Sequence, residues 1–230
     1  MIWAWVTIAT FFIARAVATK LNNPLANPLV ISLMIIIPIL LLLDIPYVEY
    51  QQDNELFVYL LQPAVVALAY PLYEQFPAIK QNWKIIFLAC GVGSALSMFS
   101  SATIAVLLGT DMSLVASIMG KSVTTPIAME ISSNLGGEPA IAAILVLIVG
   151  AFGAIFAYPI YQILNVTHPI ARGLTMGTVS HALGTATCIE KDPKDGAFSS
   201  LALVLCGVIT SILAPVIYSY IKWLNVLING

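Results

Sequence analysis

The stretch SLVASIMGKSVTTPIAMEIS (Ser113–Ser132) reads as an apolar helix interrupted in its middle by Lys121-Ser-Val-Thr-Thr-Pro126. A lysine inside an apolar run is costly and marks function by default. Pro126 lacks an N–H and suits the first turn of a restarting helix, so the restart faces the break just after Thr124 and Thr125. A second run, Ile170–Ala186, is interrupted in the same way by Ser180-His-Ala-Leu-Gly-Thr185. The two clusters lie roughly 55–60 residues apart, and a long apolar run precedes each. Broken helices at corresponding positions of two repeated, inverted units are the best pointer in sequence to a transporter binding site. A break frees backbone groups that hydrocarbon cannot satisfy, so it survives only beside protein or a water-filled cavity. Half-helix N-termini at a break attract anions.

The rest of the chain sets these breaks in a membrane. Of 230 residues 60% are hydrophobic and 9% charged, and mean hydropathy is +0.97. A soluble domain carries about 25% charged residues, so water cannot be the solvent for this surface. A span needs about 20 apolar residues, which leaves room for about seven to nine segments in a single all-α polytopic bundle over residues 1–230. Barrel strands would alternate over about ten residues, and no such alternation is present. The net charge of −2 gives no footing for nucleic acid. Cys90, Cys188 and Cys206 lie in or beside apolar runs at no metal or redox spacing and read as small buried hydrophobes.

Eight apolar runs are visible: 2–18, 29–43, 61–75, 85–108, 113–132, 140–164, 170–186 and 198–226. Positive charge follows the first run instead of preceding it, which predicts a retained span and not a cleaved leader. Lys and Arg collect on the cytoplasmic side. Arg15 with Lys20, Lys80 with Lys84, and Lys191 with Lys194 therefore place their loops inside, with the N-terminus outside. The acidic segment Asp44–Glu55 has neither Lys nor Arg and falls outside. Residues 1–80 are expected to be scaffold or dimer helices, and 84–228 a transport core. Whether runs five and seven cross or turn back is not readable.

The expected substrate-binding residues are Lys121, Ser122, Thr124, Thr125 and Pro126 in one break and Ser180, His181, Gly184 and Thr185 in the other, with Gln62. Lys121 reads as the counter-charge of a carboxylate or, more plainly, as a lysine snorkelling to an interface. His181 reads as a proton relay or carboxylate donor, or as a polar residue filling the break. Gln62, Val66, Tyr70 and Glu74 share a helical face, and Gln62 with Tyr70 suits a cavity wall. Glu130 suits a partner for Lys121, a proton coupler or an interface residue. Arg172 reads as an anchor for its helix. There is no metal-ligand spacing, no phosphate loop and no acid pair, so neither an enzyme nor a cofactor is expected.

Four motifs carry a family likeness: LQPAVVALAYPLYEQ (Leu61–Gln75), KSVTTPIAM (Lys121–Met129), SHALGTA (Ser180–Ala186) and GAFSSLALVLCG (Gly196–Gly207). In these the chain resembles the LrgB/CidB family of bacterial membrane proteins over nearly its whole length. The resemblance implies one of two functions in the bacterial cytoplasmic (inner) membrane. One is a secondary carrier of small monocarboxylates such as glycolate, glycerate, pyruvate or lactate. The other is a holin/antiholin-like regulator of murein hydrolase export and cell lysis. It also implies a small LrgA/CidA-type membrane partner, and a homodimer is expected. One carboxylate is what a lysine and helix N-termini would hold. A hole-forming protein needs oligomerising spans, and two polar breaks with a buried lysine do not supply them.

Overall fold

Runs of Leu, Ile, Val and Ala with polar residues kept to short intervals become helices, because only helices satisfy every backbone group within one segment in lipid. The computed structural model of the chain describes residues 2–21, 28–67, 73 and 76–229. Ten helices are present among them: α1 Ile2–Leu21, α2 Pro28–Leu42, α3 Tyr47–Asp53, α4 Glu55–Ala67, α5 Phe76–Leu107, α6 Met112–Ile118, α7 Thr125–Leu135, α8 Pro139–Ile163, α9 Pro169–Lys191 and α10 Pro193–Asn229. No strand occurs among the described residues. Four helices are long and apolar enough to cross a membrane, namely α1, α5, α8 and α10, and α2 is a shorter apolar helix. The all-α membrane bundle expected from composition is the fold observed.

The chain divides into two compact units, Met1–Val66 and Ala67–Gly230. In the first, α3 is tied to the start of α1. Asp53 accepts from the Trp3 N–H at 3.0 Å, and the Tyr50 and Thr7 hydroxyls meet at 2.9 Å. Part of the acidic segment read as a loop is therefore helical. The third apolar run also begins earlier than its sequence suggests, at Glu55.

The second unit holds both breaks, and neither interrupted run crosses as a single rod. A straight helix would separate Arg172 from Asp192 by about 30 Å. Instead Arg172 Nη2 lies 3.2 Å from Asp192 Oδ2, and its Nε lies 2.8 Å from Asp195 Oδ2. The helix doubles back at His181, whose φ of 40° and ψ of −132° are non-helical. Two arms, 169–180 and 182–191, consequently lie side by side. Met176 and Cys188 pack together with Tyr161 at their open end. The earlier break does the same. Its turn, 119–124, joins α6 to α7, and a β-carbon on Gly120 would stand 2.7 Å from the Ala128 Cα. Ser117 Oγ accepts from the Glu138 N–H at 2.8 Å, tying α6 to the residues that follow α7.

The three long helices of this unit divide between the two hairpins. Met98, Ala102 and Val106 of α5, Ala142 and Val146 of α8, and Ala214, Tyr218 and Ile221 of α10 pack with α6 and α7. At the other end, Ile86 and Cys90 of α5 and Leu201, Ala202 and Cys206 of α10 pack against Leu174 of α9, while Tyr161 of α8 packs against Met176. The hairpins thus enter from opposite ends of the same three helices. The outward face of α8 is the bulky one: Ile144, Ile148, Phe152 and Phe156 are exposed, while Ala142, Val146, Gly150 and Gly153 face inward. This inversion of soluble packing suits lipid, where small residues let helices approach.

Candidate functional site

The turn of the first hairpin is fixed by α5. Lys121 Nζ donates to the Ser97 carbonyl at 2.9 Å and to Ser97 Oγ at 2.7 Å. Ser97 Oγ also meets Ser122 Oγ at 2.9 Å. An ammonium only donates, so the Ser97 hydroxyl accepts from Lys121, while either hydroxyl can donate in the bond between Ser97 and Ser122. The two bonds to Ser97 use two of the three N–H groups of the ammonium. Thr124 is the N-cap of α7 in extended conformation, and Pro126 stands in the first turn. The Thr124 hydroxyl is buried and finds no hydrogen-bond partner among the described residues. The first N–H groups of α7 are unpaired by helix geometry, so this tip consists largely of donors. Thr125 opens α7 and is half-buried.

The turn of the second hairpin is fixed by α8. His181 Nε2 stands 2.8 Å from the Val146 carbonyl oxygen. The Thr185 hydroxyl donates to the His181 carbonyl at 2.8 Å and meets Ser199 Oγ of α10 at the same distance. Ser180 Oγ and His181 Nδ1 are buried without partners among the described residues. Glycines make the fit possible. A β-carbon on Gly150 would stand 2.5 Å from the His181 ring, and one on Gly184 would stand 2.6 Å from the Ser180 Cβ.

Both tips are tied to the same two long helices. Val146 belongs to the same buried cluster as Val123 and Ala128 of the first hairpin, and its carbonyl bonds His181 of the second. On α5, Ser97 holds Lys121, while a β-carbon on Gly93 would touch Thr178 of the second hairpin. Residues four apart share a helix face about 6 Å from one another. The structure therefore anchors the tip that carries Lys121, Ser122 and Thr124 on the middle of α5, and the tip that carries Ser180, His181 and Thr185 on the middle of α8.

Other residues singled out in the sequence lie elsewhere. Gln62 belongs to α4 in the first unit. Its side chain, like Tyr70 and Glu74, lies outside the described residues. Glu130 is exposed and accepts from Asn134 at 3.1 Å, while Lys121 bonds to Ser97. Arg172 does anchor its helix, through the pair of aspartates. Asp195 is fully buried and also accepts from the Tyr158 hydroxyl at 2.8 Å. Ser97, Val146, Ser199 and Asp195 are the residues that sequence pattern does not single out; only Ser199 carries a signal of its own, as part of the GAFSS segment. A groove of about 540 Å³ lined by Ile85, Ala89, Gly93, Leu174, Thr178 and Val179, among others, lies along the first arm of the second hairpin. It is almost wholly apolar, and Lys121, Ser122, Thr124, Ser180 and His181 are not among its walls.

The profile of the LrgB-like family matches residues 7–220. The chain belongs to the LrgB-like family. An uncharacterized protein of Haemophilus influenzae is 42% identical to this LrgB-like chain over 220 residues, covering 96% of this chain and 95% of the other. The holin-like protein CidB of Staphylococcus epidermidis is 34% identical over 211 residues, 92% of each chain. YwbG of Bacillus subtilis is 33% identical over 216 residues, 94% of this chain and 96% of its own. No solved structure matches the chain. Together with the apolar helices, these relatives make the LrgB-like chain a multi-pass bacterial membrane protein.

Proposed function

We propose that this LrgB-like chain is a secondary carrier of small monocarboxylates, with its site between the two hairpin tips. The observation that supports this best is that unpartnered buried polar groups sit on both tips, Thr124 Oγ1 on one and Ser180 Oγ and His181 Nδ1 on the other. Such groups cost free energy unless a partner meets them, and Lys121 with the α7 N-terminus supplies the positive end for one carboxylate. Helix α5 with the first hairpin, and α8 with the second, are the two halves of an inverted repeat, so that each hairpin gates one face in alternating access. Residues 1–80 serve as scaffold and dimer helices, and 84–228 as the transport core. Glycolate, glycerate, pyruvate and lactate are the acids to test. The membrane is the cytoplasmic one, with the N-terminus outside.

The test is thermal stabilisation of the purified chain by each acid, because a ligand that binds only the folded state raises apparent stability by mass action. Saturable stabilisation by at least one acid is expected, and it is lost in Lys121→Ala. Stabilisation that survives unchanged in Lys121→Ala sinks this site.

The second reading is a holin/antiholin-like regulator of murein hydrolase export and lysis, acting with a small LrgA/CidA-type partner. A specific observation favours it: the relatives from Staphylococcus epidermidis and Staphylococcus aureus, 33–34% identical, are called holin-like protein CidB. By name the relatives stand nearer to this reading than to a carrier. It expects activity that follows partner stoichiometry, no saturable binding of any acid, and indifference to conservative changes at Thr124, Thr125 or His181.

A further inference from the structure

The groove along the first arm of the second hairpin is apolar within and cationic at its mouth. One wall is a single face of α5, Ile85, Ala89 and Gly93. The other is the stretch 170–179 of α9, on which Ala171, Thr175 and Val179 are exposed. Thr178, the buried polar residue of the floor, donates to the Leu174 carbonyl at 2.7 Å and is met from behind by Cys206 Sγ at 3.3 Å. From Ile85 to Gly93 the groove runs about 12 Å along α5, against about 15 Å of hydrocarbon in one leaflet. An α-helix of that length, about 10–12 Å across, fills roughly 1,000 Å³. The groove holds about 540 Å³, so a neighbouring helix does not enter it, whereas a flexible hydrocarbon chain does.

The mouth has other chemistry. Trp83 and Lys84 stand near the start of the span Lys80–Leu107, both exposed, with the ammonium 5.9 Å from the indole centroid. Tryptophan and lysine so placed mark the bilayer interface. Lys80 lies one turn further out and is exposed. On the opposite wall His168 lines the groove. Its Nδ1 accepts from the Ile170 N–H at 3.3 Å, so Nε2 carries the ring proton and donates. Phe76–Lys84 contains no Asp or Glu, and none of the groove's lining residues is acidic. We propose that this groove holds an acyl chain of an anionic phospholipid, with the phosphate of its head group at Lys84 and His168. Among lipids a buried chain gains no hydrophobic energy. It gains contact with both walls in place of a void, and the charge at the mouth selects the head group. Such a site is compatible with a carrier and with a lysis regulator alike.

The purified full chain in detergent is titrated with phosphatidylglycerol and with phosphatidylcholine of the same acyl chains, and the melting temperature is read. Saturable stabilisation is expected, with phosphatidylglycerol half-maximal at a concentration about fivefold lower, the factor one lysine contributes beside an anionic head. Lys84→Gln should narrow that ratio, and Lys222→Gln, toward the other end of the long helices, should leave it. Ala89→Phe places a ring where the chain lies and should abolish the response. Leu88→Phe, exposed and outside the groove, should keep it. The melting temperature without lipid reports whether Ala89→Phe folds. If it does not, Val179→Phe on the opposite wall replaces it; if neither folds, the lipid ratio and Lys84→Gln decide. Equal response to the two lipids, or a ratio that Lys84→Gln leaves unchanged, overturns the assignment. A folded Ala89→Phe that responds like the parent overturns it too, as does stabilisation by neither lipid. If neither lipid stabilises the chain and Ala89→Phe splits a dimer, the groove is an interface between copies.

Discussion

A single methyl group at Gly153 would take the place of the Ser180 hydroxyl, and one at Gly150 would strike the His181 ring. Neither neighbour can retreat cheaply, because His181 is held by Val146 and Ser180 adjoins it in the break. Gly153→Ala should destabilise the chain by about 1–3 kcal/mol, as overpacking does. Gly91→Ala is the control: a β-carbon there meets nothing within 4 Å, and alanine suits a helix interior better than glycine does. Thermal melts of the two variants side by side decide the matter, and equal losses would remove the claim that the second tip is seated on glycine. At this scale the sequence is informative on one side only. Lys121 and His181 announce themselves as polar residues in apolar runs. Their partners do not, because Ser97 and Val146 lie 24 and 35 positions away and are ordinary helix residues until the fold brings them close.

Both arms of the second hairpin are closed by one ion cluster at their open end, where Arg172 reaches Asp192 and the buried Asp195. Removing the guanidinium strands the Asp195 carboxylate where water cannot reach it. Arg172→Ala should cost about 3–5 kcal/mol, and Asp195→Asn less, because Arg172 is 21% exposed and keeps Asp192. The double variant should cost clearly less than their sum, since both remove the same interaction. Additive losses in a denaturation series would show that the pair does not act as a unit. The interruption of this element is legible in SHALGT, but its reversal is not. A straight helix and a hairpin of the same 23 residues have the same composition and the same periodicity. What separates them is a contact between residues near the two ends, which local pattern does not contain. The acidic segment after α2 misleads for a related reason. Charge marks it as solvent-facing, and α3 is held there by Trp3 and Thr7, far away in sequence.

For the second unit as a whole, two hairpins entering from opposite ends of α8 should open to opposite sides of the membrane. Lys80, Lys84, Arg172, Lys191 and Lys194 lie toward one end of the three long helices, and Lys222 toward the other, and on the proposed orientation the open end of the second hairpin faces the cytoplasm. Asn134 and Glu190 are exposed near the two open ends. A membrane-impermeant thiol reagent should therefore modify Glu190→Cys only from the cytoplasmic face and Asn134→Cys only from the outer one. The native cysteines are all buried and give little background. Labelling of both positions from one side would refute the opposed arrangement. A final consequence concerns α8, which serves both hairpins with one face: Ala142 and Val146 for the first, Val146, Gly150 and Gly153 for the second. Adding one residue between Val146 and Gly150 would turn everything beyond it by about 100°. Neither hairpin's own sequence would have changed, yet the glycines would swing toward lipid and a bulky side chain would arrive where His181 and Ser180 now rest. In α8, then, the spacing of residues is as much a part of the site as their identity, and a length change there should be tolerated far less than one in a connecting loop.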